Sequence, residues 1–278
     1  MSRILIFGLS GQVGDALRPL LLESDYQITA VSRDEKNDEK NIAWQQASFE
    51  NFSRGLEHFD IVVSLGPLDA FSNWMIASEI KPKKIIALSS TSIVTKKNSP
   101  DPAERKLAQM LLDGEQRLQV YAGENSSGLV ILRPTLIYGV GRDQSLSRWL
   151  KMAARFKCVV LPTHAAGLRQ PVHVADVAMA VFKSLSLKNP QPLILDLPGG
   201  EILPFDQMLL RSLKAQLPGT RVLRVPGLLF RSLLRTAAVF GLMHGLGPGF
   251  FARLAEDWVF DPAPVEKELG FRPRPFSL

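Results

Sequence analysis

Residues 3–14 read Arg3-Ile4-Leu5-Ile6-Phe7-Gly8-Leu9-Ser10-Gly11-Gln12-Val13-Gly14, and this stretch decides the fold. The apolar run Ile4 to Phe7 predicts a buried strand. A glycine turn follows it, and apolar spacing from Gln12 to about Leu22 predicts a helix. Each glycine has a task in such a junction. The first lets the backbone turn sharply, the second lets it approach a pyrophosphate, and the third lets helix and strand pack closely. Free N–H groups at the start of the helix then face the phosphates. Gly8, Ser10, Gly11, Gln12, Val13 and Gly14 are therefore the expected cradle of a dinucleotide. Pro19 falls inside the helix and is expected to kink or shorten it.

Working outward, Gln27 to Val31 predicts the second strand, which ends at Ser32-Arg33-Asp34. A carboxylate at that strand end accepts from the adenosine ribose hydroxyls and repels a 2′-phosphate. Ser32 takes the place as a small donor, and Arg33 follows with a guanidinium suited to a phosphate. The expected cofactor is NADP, with NAD as the alternative, because a shift of one residue would bring Asp34 into the same place. After a polar loop rich in Asp, Glu, Lys and Asn come further short strands at Ile61 to Leu65 and Lys84 to Leu88. Phe71 to Ile80 reads as helix between them. Ala103 to Tyr121 has helical spacing, Leu129 to Leu132 is again a strand, and Leu146 to Phe156 and His173 to Leu187 read as helices. Leu193 to Leu197 reads as a late strand. Short apolar strands alternating with helices predict an α/β, Rossmann-type doubly wound parallel sheet covered on both faces. Residues 1–197 form that dinucleotide-binding domain in this reading, with parts of 139–170 joining a smaller substrate lobe. Residues 198–278, punctuated by Gly and Pro, form a mainly helical C-terminal lobe.

Taken together, four segments resemble the extended short-chain dehydrogenase/reductase superfamily, the NAD-dependent sugar epimerases and dehydratases. They are Gly8 to Gly14, Ala87-Leu88-Ser89-Ser90-Thr91, Leu132-Arg133-Pro134-Thr135-Leu136-Ile137-Tyr138-Gly139, and Gln170-Pro171-Val172-His173-Val174-Ala175-Asp176-Val177-Ala178. Residues 201–276 look like the tail of atypical members, including proteins similar to the Rossmann-fold accessory subunit of respiratory complex I. The resemblance implies an oxidoreductase or an epimerase/dehydratase acting on a nucleotide-sugar or related small molecule. It also implies that Leu65, Gly66, Pro67 and Ser89 line the cofactor groove, with Pro134 beside the nicotinamide. A homodimer through the helix near residues 103–121 belongs to the same implication.

The family works with a Tyr-x-x-x-Lys pair, in which the lysine lowers the tyrosine pKa. This chain has three tyrosines, Tyr26, Tyr121 and Tyr138, and four residues beyond them stand Ala30, Asn125 and Arg142. Alignment through Gly114-Glu115 puts Leu107 and Leu111 where the pair would be. Leucines pack, but they do not move protons. Two readings follow: an enzyme with another proton donor, for which Thr91, Tyr138 and Lys106 are candidates, or a non-catalytic dinucleotide-binding sensor, scaffold or assembly subunit. Loss of the dinucleotide altogether is a third. Arg142 and Arg169 are candidates for gripping a substrate phosphate, since guanidinium forks suit anions. His173 and Asp176 share a helical face but read as structural, Asp176 as a helix-start residue.

Composition excludes several classes. A single cysteine, Cys158, rules out an internal disulfide and a cysteine-built zinc site. It lies in an apolar run and reads as an inert thiol, in keeping with a reducing, cytoplasmic setting. His58, His164 and His244 lack ligand-like spacing, so no metal site is expected. The net charge of +6 comes from scattered basic residues without interleaved aromatics, which argues against nucleic acid. No signal peptide or membrane span is read. The apolar stretch 228–240, with Arg231 and Arg235 one helical turn apart, suits a buried cap helix or partner interface, or peripheral membrane contact.

Overall fold

The computed structural model describes residues 1–52, 58–139, 141, 146–163, 165–188, 191–230, 232 and 254–278. Strand β1 (Arg3–Phe7) leads through the glycine turn into helix α1 (Gln12–Leu22) and strand β2 (Gln27–Ser32). Strands β3 (Ile42–Gln46) and β4 (Ile61–Ser64) follow, then helix α2 (Leu68–Ala77) and strand β5 (Lys84–Leu88). A single turn, α3 (Ser92–Thr95), precedes the long helix α4 (Pro102–Glu124) and strand β6 (Gly128–Pro134). Strand β7 (Ile137–Tyr138), helix α5 (Leu146–Phe156), strands β8 (Cys158–Pro162), β9 (Leu168–Arg169) and β10 (Val172–His173) and helix α6 (Val174–Ser186) come next. The remainder is β11 (Leu193–Leu197), β12 (Leu203–Pro204), α7 (Phe205–Gln216), β13 (Arg221–Val225) and α8 (Ala263–Leu269).

Seven strands form one sheet in the order β11-β6-β5-β4-β1-β2-β3, and every neighbouring pair is parallel. The chain winds one way from β1 to β3 and then crosses to β4. A crevice therefore opens between the carboxyl ends of β1 and β4, where a doubly wound sheet binds its ligand. Alternation of side chains divides the sheet's two cores. Ile4 and Ile6 join the apolar core beneath α1 and α6. Leu5 and Phe7 join the core beneath α2 and α4.

Several element boundaries differ from expectation for local reasons. Helix α1 continues through Pro19, whose ring is exposed, and is not shortened. Strand β3 lies where a polar loop was expected. It is an edge strand in which only Ile42 is buried, so it lacks a continuous apolar run. Helix α2 starts three residues earlier than expected, after Pro67 and with Asp69 in its first turn.

A third core gathers Tyr138, Trp149 and Leu150 with Phe205, Met208, Phe230 and Phe276. This core draws residues from both sides of residue 198. Among the described residues of the C-terminal stretch, β13 pairs with β8 and β12 with β9. Cys158, in β8, is half-buried. Of the apolar stretch 228–240, only residues 228–230 and 232 are described. Among the described residues no helix is long and apolar enough to cross a membrane.

Candidate functional site

Gly8 adopts φ +84°, a conformation open to glycine. A Cβ there would also press on the Leu65 carbonyl carbon at 3.1 Å and the Gly66 nitrogen at 3.2 Å, so β1 and β4 approach each other through this residue. The Gly11 N–H donates to the Gly8 carbonyl at 3.0 Å and closes the turn. A Cβ on Gly14 would fall 2.1 Å from the Leu9 carbonyl oxygen, so that contact brings α1 against the turn. Gln12 and Val13 follow the N-cap Gly11 in the first turn of α1, where main-chain N–H groups have no intrahelical acceptor. Ser10, Gly11 and Gln12 are half-exposed at the crevice. The junction is a close-fitting backbone cradle at a helix N-terminus, a site that suits a diphosphate.

At the end of β2, Ser32 is buried and its Oγ accepts from the Asp34 N–H at 3.2 Å. Arg33 is exposed, and its carbonyl accepts from Gln46 Nε2. Phe49, which sequence reasoning passed over, stacks on Phe7 at 4.6 Å, and a Cβ at Gly66 would meet its ring at 3.8 Å. The signal available for it was the aromatic residue just beyond the edge strand.

On the other side of the crevice four hydroxyl side chains, Ser89 to Ser92, follow the end of β5. Thr91 is buried, and both its N–H and its Oγ1 donate to the Pro134 carbonyl, at 3.2 and 3.3 Å. The Ser90 and Ser92 hydroxyls bond each other. Ser89 Oγ is enclosed and has no hydrogen-bond partner among the described residues. A buried hydroxyl without a partner is rare in a native protein and marks a place where a ligand or water can supply one. On α4, Leu107 is exposed and Leu111 is half-buried against the core. One turn further along α4, Glu115 is buried and grips Arg133 through two parallel hydrogen bonds. An arginine inside an otherwise apolar strand was the signal for that pair, because a buried guanidinium needs a carboxylate.

Tyr138 lies apart from these hydroxyls. It is 1% exposed, its hydroxyl donates to the Pro275 carbonyl at 3.4 Å and accepts from the Ser277 N–H at 3.2 Å. Burial raises its pKa. Its hydroxyl is hydrogen-bonded to main chain on both sides. The His173 ring stands edge-on to Tyr138 at 5.1 Å, and its Nδ1 caps α6 by accepting from the Ala175 N–H. Burial, followed by the nearby Arg274, lowers the His173 pKa. Asp176 in the first turn is buried and bonded to Arg274.

Arg169, a candidate for a substrate phosphate, lies in β9. It is buried, with its guanidinium 4.4 Å from the Trp258 ring and 5.9 Å from the Phe205 ring, donating to the Leu168 and Glu256 carbonyls. Desolvation lowers its pKa to about 10. Arg142, His164 and His244 lie outside the described residues. Among the described residues no three His, Cys, Asp or Glu side chains gather as a metal site would require.

No protein-family model matches the sequence, and no curated protein matches it. Solved structures do match in fold. MoeE5 with UDP-glucuronic acid and NAD superposes with a TM-score of 0.72 at 17% identity, covering 99% of this chain and 95% of that one. The UDP-glucuronic acid 4-epimerase of Bacillus cereus gives 0.72 at 16%, covering 98% and 94%. The NAD-dependent NDP-hexosamine 5,6-dehydratase TunA, of tunicamycin biosynthesis, gives 0.69 at 16%, covering 98% and 92%. Identities this low establish a shared fold.

Proposed function

We propose that, on a fold shared with NAD-dependent nucleotide-sugar epimerases and dehydratases, this chain binds a nicotinamide dinucleotide, NADP in preference to NAD. The carrying observation is the glycine cradle. Side chains at Gly8 and Gly14 would collide with backbone, and the first turn of α1 presents its N–H groups where a diphosphate would sit. Ser10, Gly11, Gln12 and Val13 would hold the diphosphate. Ser32 and Arg33 would receive a 2′-phosphate, and Leu65, Gly66, Pro67, Ser89 and Pro134 would line the groove. When bound, the dinucleotide supplies hydride acceptance or donation. The chain's own part is to orient the ring, with Ser89 Oγ as a hydroxyl open to a polar group.

The substrate class in this reading is a nucleotide-sugar or a related small molecule, with Arg142 and Arg169 as the guanidinium groups offered to its phosphates. For Arg169 that role requires displacement of its carbonyl partners. The exposed groove of about 620 Å³ on α2 and α4, lined by Ile76, Lys81, Asp113, Arg117, Val120 and Glu124, is the surface proposed for a homodimer. A second reading, a non-catalytic dinucleotide-binding sensor or assembly subunit, is favoured by one observation. Leu107 and Leu111 occupy the α4 positions of the expected pair, while the Tyr138 and Thr91 hydroxyls are bound to main chain.

Both readings require the dinucleotide. Purified protein is to be denatured, any released nucleotide identified by mass, and NADPH titrated by fluorescence. Co-purified NADP or saturable NADPH binding supports the proposal; neither nucleotide and no titratable signal would defeat it. Turnover of a nucleotide-sugar by the loaded protein would then separate enzyme from sensor.

A further inference from the structure

The fold brings together basic residues that are scattered along the chain. Residues 144–175 and 207–255 hold twelve Lys and Arg and no Asp or Glu, so against a total of +6 the rest of the chain is net negative. Both segments build the third core, the first through α5 and β8, the second through most of α7 and β13. Strand β13 lies parallel to β8, with Val222 opposite Val159 and Arg224 opposite Leu161. Val159 and Leu161 are buried in the third core, and Arg224 bonds Asp206 of α7. Strand alternation turns Arg221 and Leu223 to the other face of this two-stranded ribbon. The Arg221 N–H donates to the Lys157 carbonyl at 3.0 Å, which brings in the end of α5. There the Arg155 guanidinium lies 5.5 Å from the centre of the Phe156 ring. Arg155, Lys157 and Arg221 are exposed, and no carboxylate among the described residues pairs with them. Phe156, Leu223 and, three residues beyond β13, Leu228 are 53%, 52% and 80% exposed.

We propose that this basic and apolar surface around Phe156 and Leu223 docks on an anionic lipid bilayer. Exposed apolar side chains set among cations mark an interaction surface. Each cation near such a membrane strengthens binding about fivefold through the headgroup charge. The long Lys and Arg stems keep their charges at headgroup level while Leu and Phe side chains enter the acyl boundary. A nucleic acid offers the same phosphates but no apolar layer for Leu223 and Leu228. None of these residues belongs to the glycine cradle, so the proposal stands without the dinucleotide reading.

The test sediments the full chain with vesicles of phosphatidylcholine alone and of equimolar phosphatidylcholine and phosphatidylserine, at low and high salt. Binding to a mixed-sequence DNA duplex is measured alongside. Wild type is expected to bind the phosphatidylserine vesicles and not the others, and to bind them less at high salt. The triple variant Arg155→Gln, Lys157→Asn, Arg221→Gln is expected to lower that partition about a hundredfold. Asparagine suits the positive φ of residue 157. The double variant Leu223→Ser, Leu228→Ser keeps every charge and is expected to lower the partition about tenfold. All five positions are exposed, so both variants are expected to keep the wild-type circular dichroism. Wild type that ignores phosphatidylserine, or a partition unchanged in either variant, would overturn the proposal. Duplex binding that exceeds vesicle binding and survives the leucine substitutions would overturn it in favour of a nucleic-acid surface.

Discussion

Arg274 holds Asp176 from two directions at once, its main-chain N–H on Oδ2 and its Nε on Oδ1, each at 2.9 Å. The segment carrying Arg274 packs against two of the three cores. Phe271 packs on the core beneath α1 and α6, and Phe276 is buried in the third core, with Tyr138 and Trp149. Asp176 is 6% exposed at its side chain and Arg274 is 47% exposed, so the cost of breaking the pair falls on the carboxylate. Asp176→Ala is expected to cost about 2 kcal/mol, the scale for stripping a buried network of its charged acceptor. Urea unfolding measures it, and a loss below a few tenths of a kcal/mol would show that the contact contributes little.

Gly11→Asp is expected to abolish NADPH binding. The new carboxylate would meet the pyrophosphate, and its Cβ would lie 3.2 Å from the Gly8 carbonyl oxygen. Gly11→Ala separates the two effects, since it adds the steric contact without the charge. Unchanged affinity in Gly11→Asp, with the fold intact by circular dichroism, would remove the cradle from the cofactor site.

Arg33→Asp is expected to weaken NADPH by at least tenfold and to leave NADH little affected, because only NADPH carries the 2′-phosphate that a guanidinium grips. An equal loss for both nucleotides would dissolve the argument for NADP.

Tyr138→Phe removes a hydroxyl that bridges Pro275 and Ser277 inside the small-lobe junction. The expected outcome is a stability loss of about 1 kcal/mol with unchanged dinucleotide affinity. Should the protein turn over a nucleotide-sugar, a fall in kcat at preserved stability would make Tyr138 the proton donor.

Asp60 directly precedes β4, at the amino ends of the strands and away from the crevice. The hydrogen bond from Lys83, and next the one from the Arg3 N–H, hold its pKa at about 2. A folded value below the unfolded one means that this interaction stabilises above the unfolded pKa. The contribution is lost as pH falls through the folded value, a window from about pH 4 to pH 2. Asp60→Asn is therefore expected to flatten the acid limb of the unfolding curve there and to lower stability at pH 7. Superimposable acid limbs would count against the linkage.

The β1–α1 junction was legible because its requirements are local: an apolar strand, a glycine at positive φ, and a glycine against which a helix packs all fall within residues 3–14. Strand β3 was not legible, since an edge strand with one buried residue carries no apolar run. The partners of the site residues were hidden for another reason. Arg169 stands against Trp258, Tyr138 against Phe276, and Asp176 against Arg274, each pair far apart in the chain. The type of Arg169 announced an anion contact, yet its surroundings are an indole ring and carbonyl oxygens.

By itself, the amino-acid order determined the sheet apart from its edge strand β3, the glycine junction and the absence of a Tyr-x-x-x-Lys pair. Backbone conformation and apolar periodicity are properties of neighbouring residues. Only the tertiary structure decided which hydroxyls and charges are already engaged. A polar side chain's chemistry depends on the partners that burial brings to it, and those partners come from distant parts of the chain.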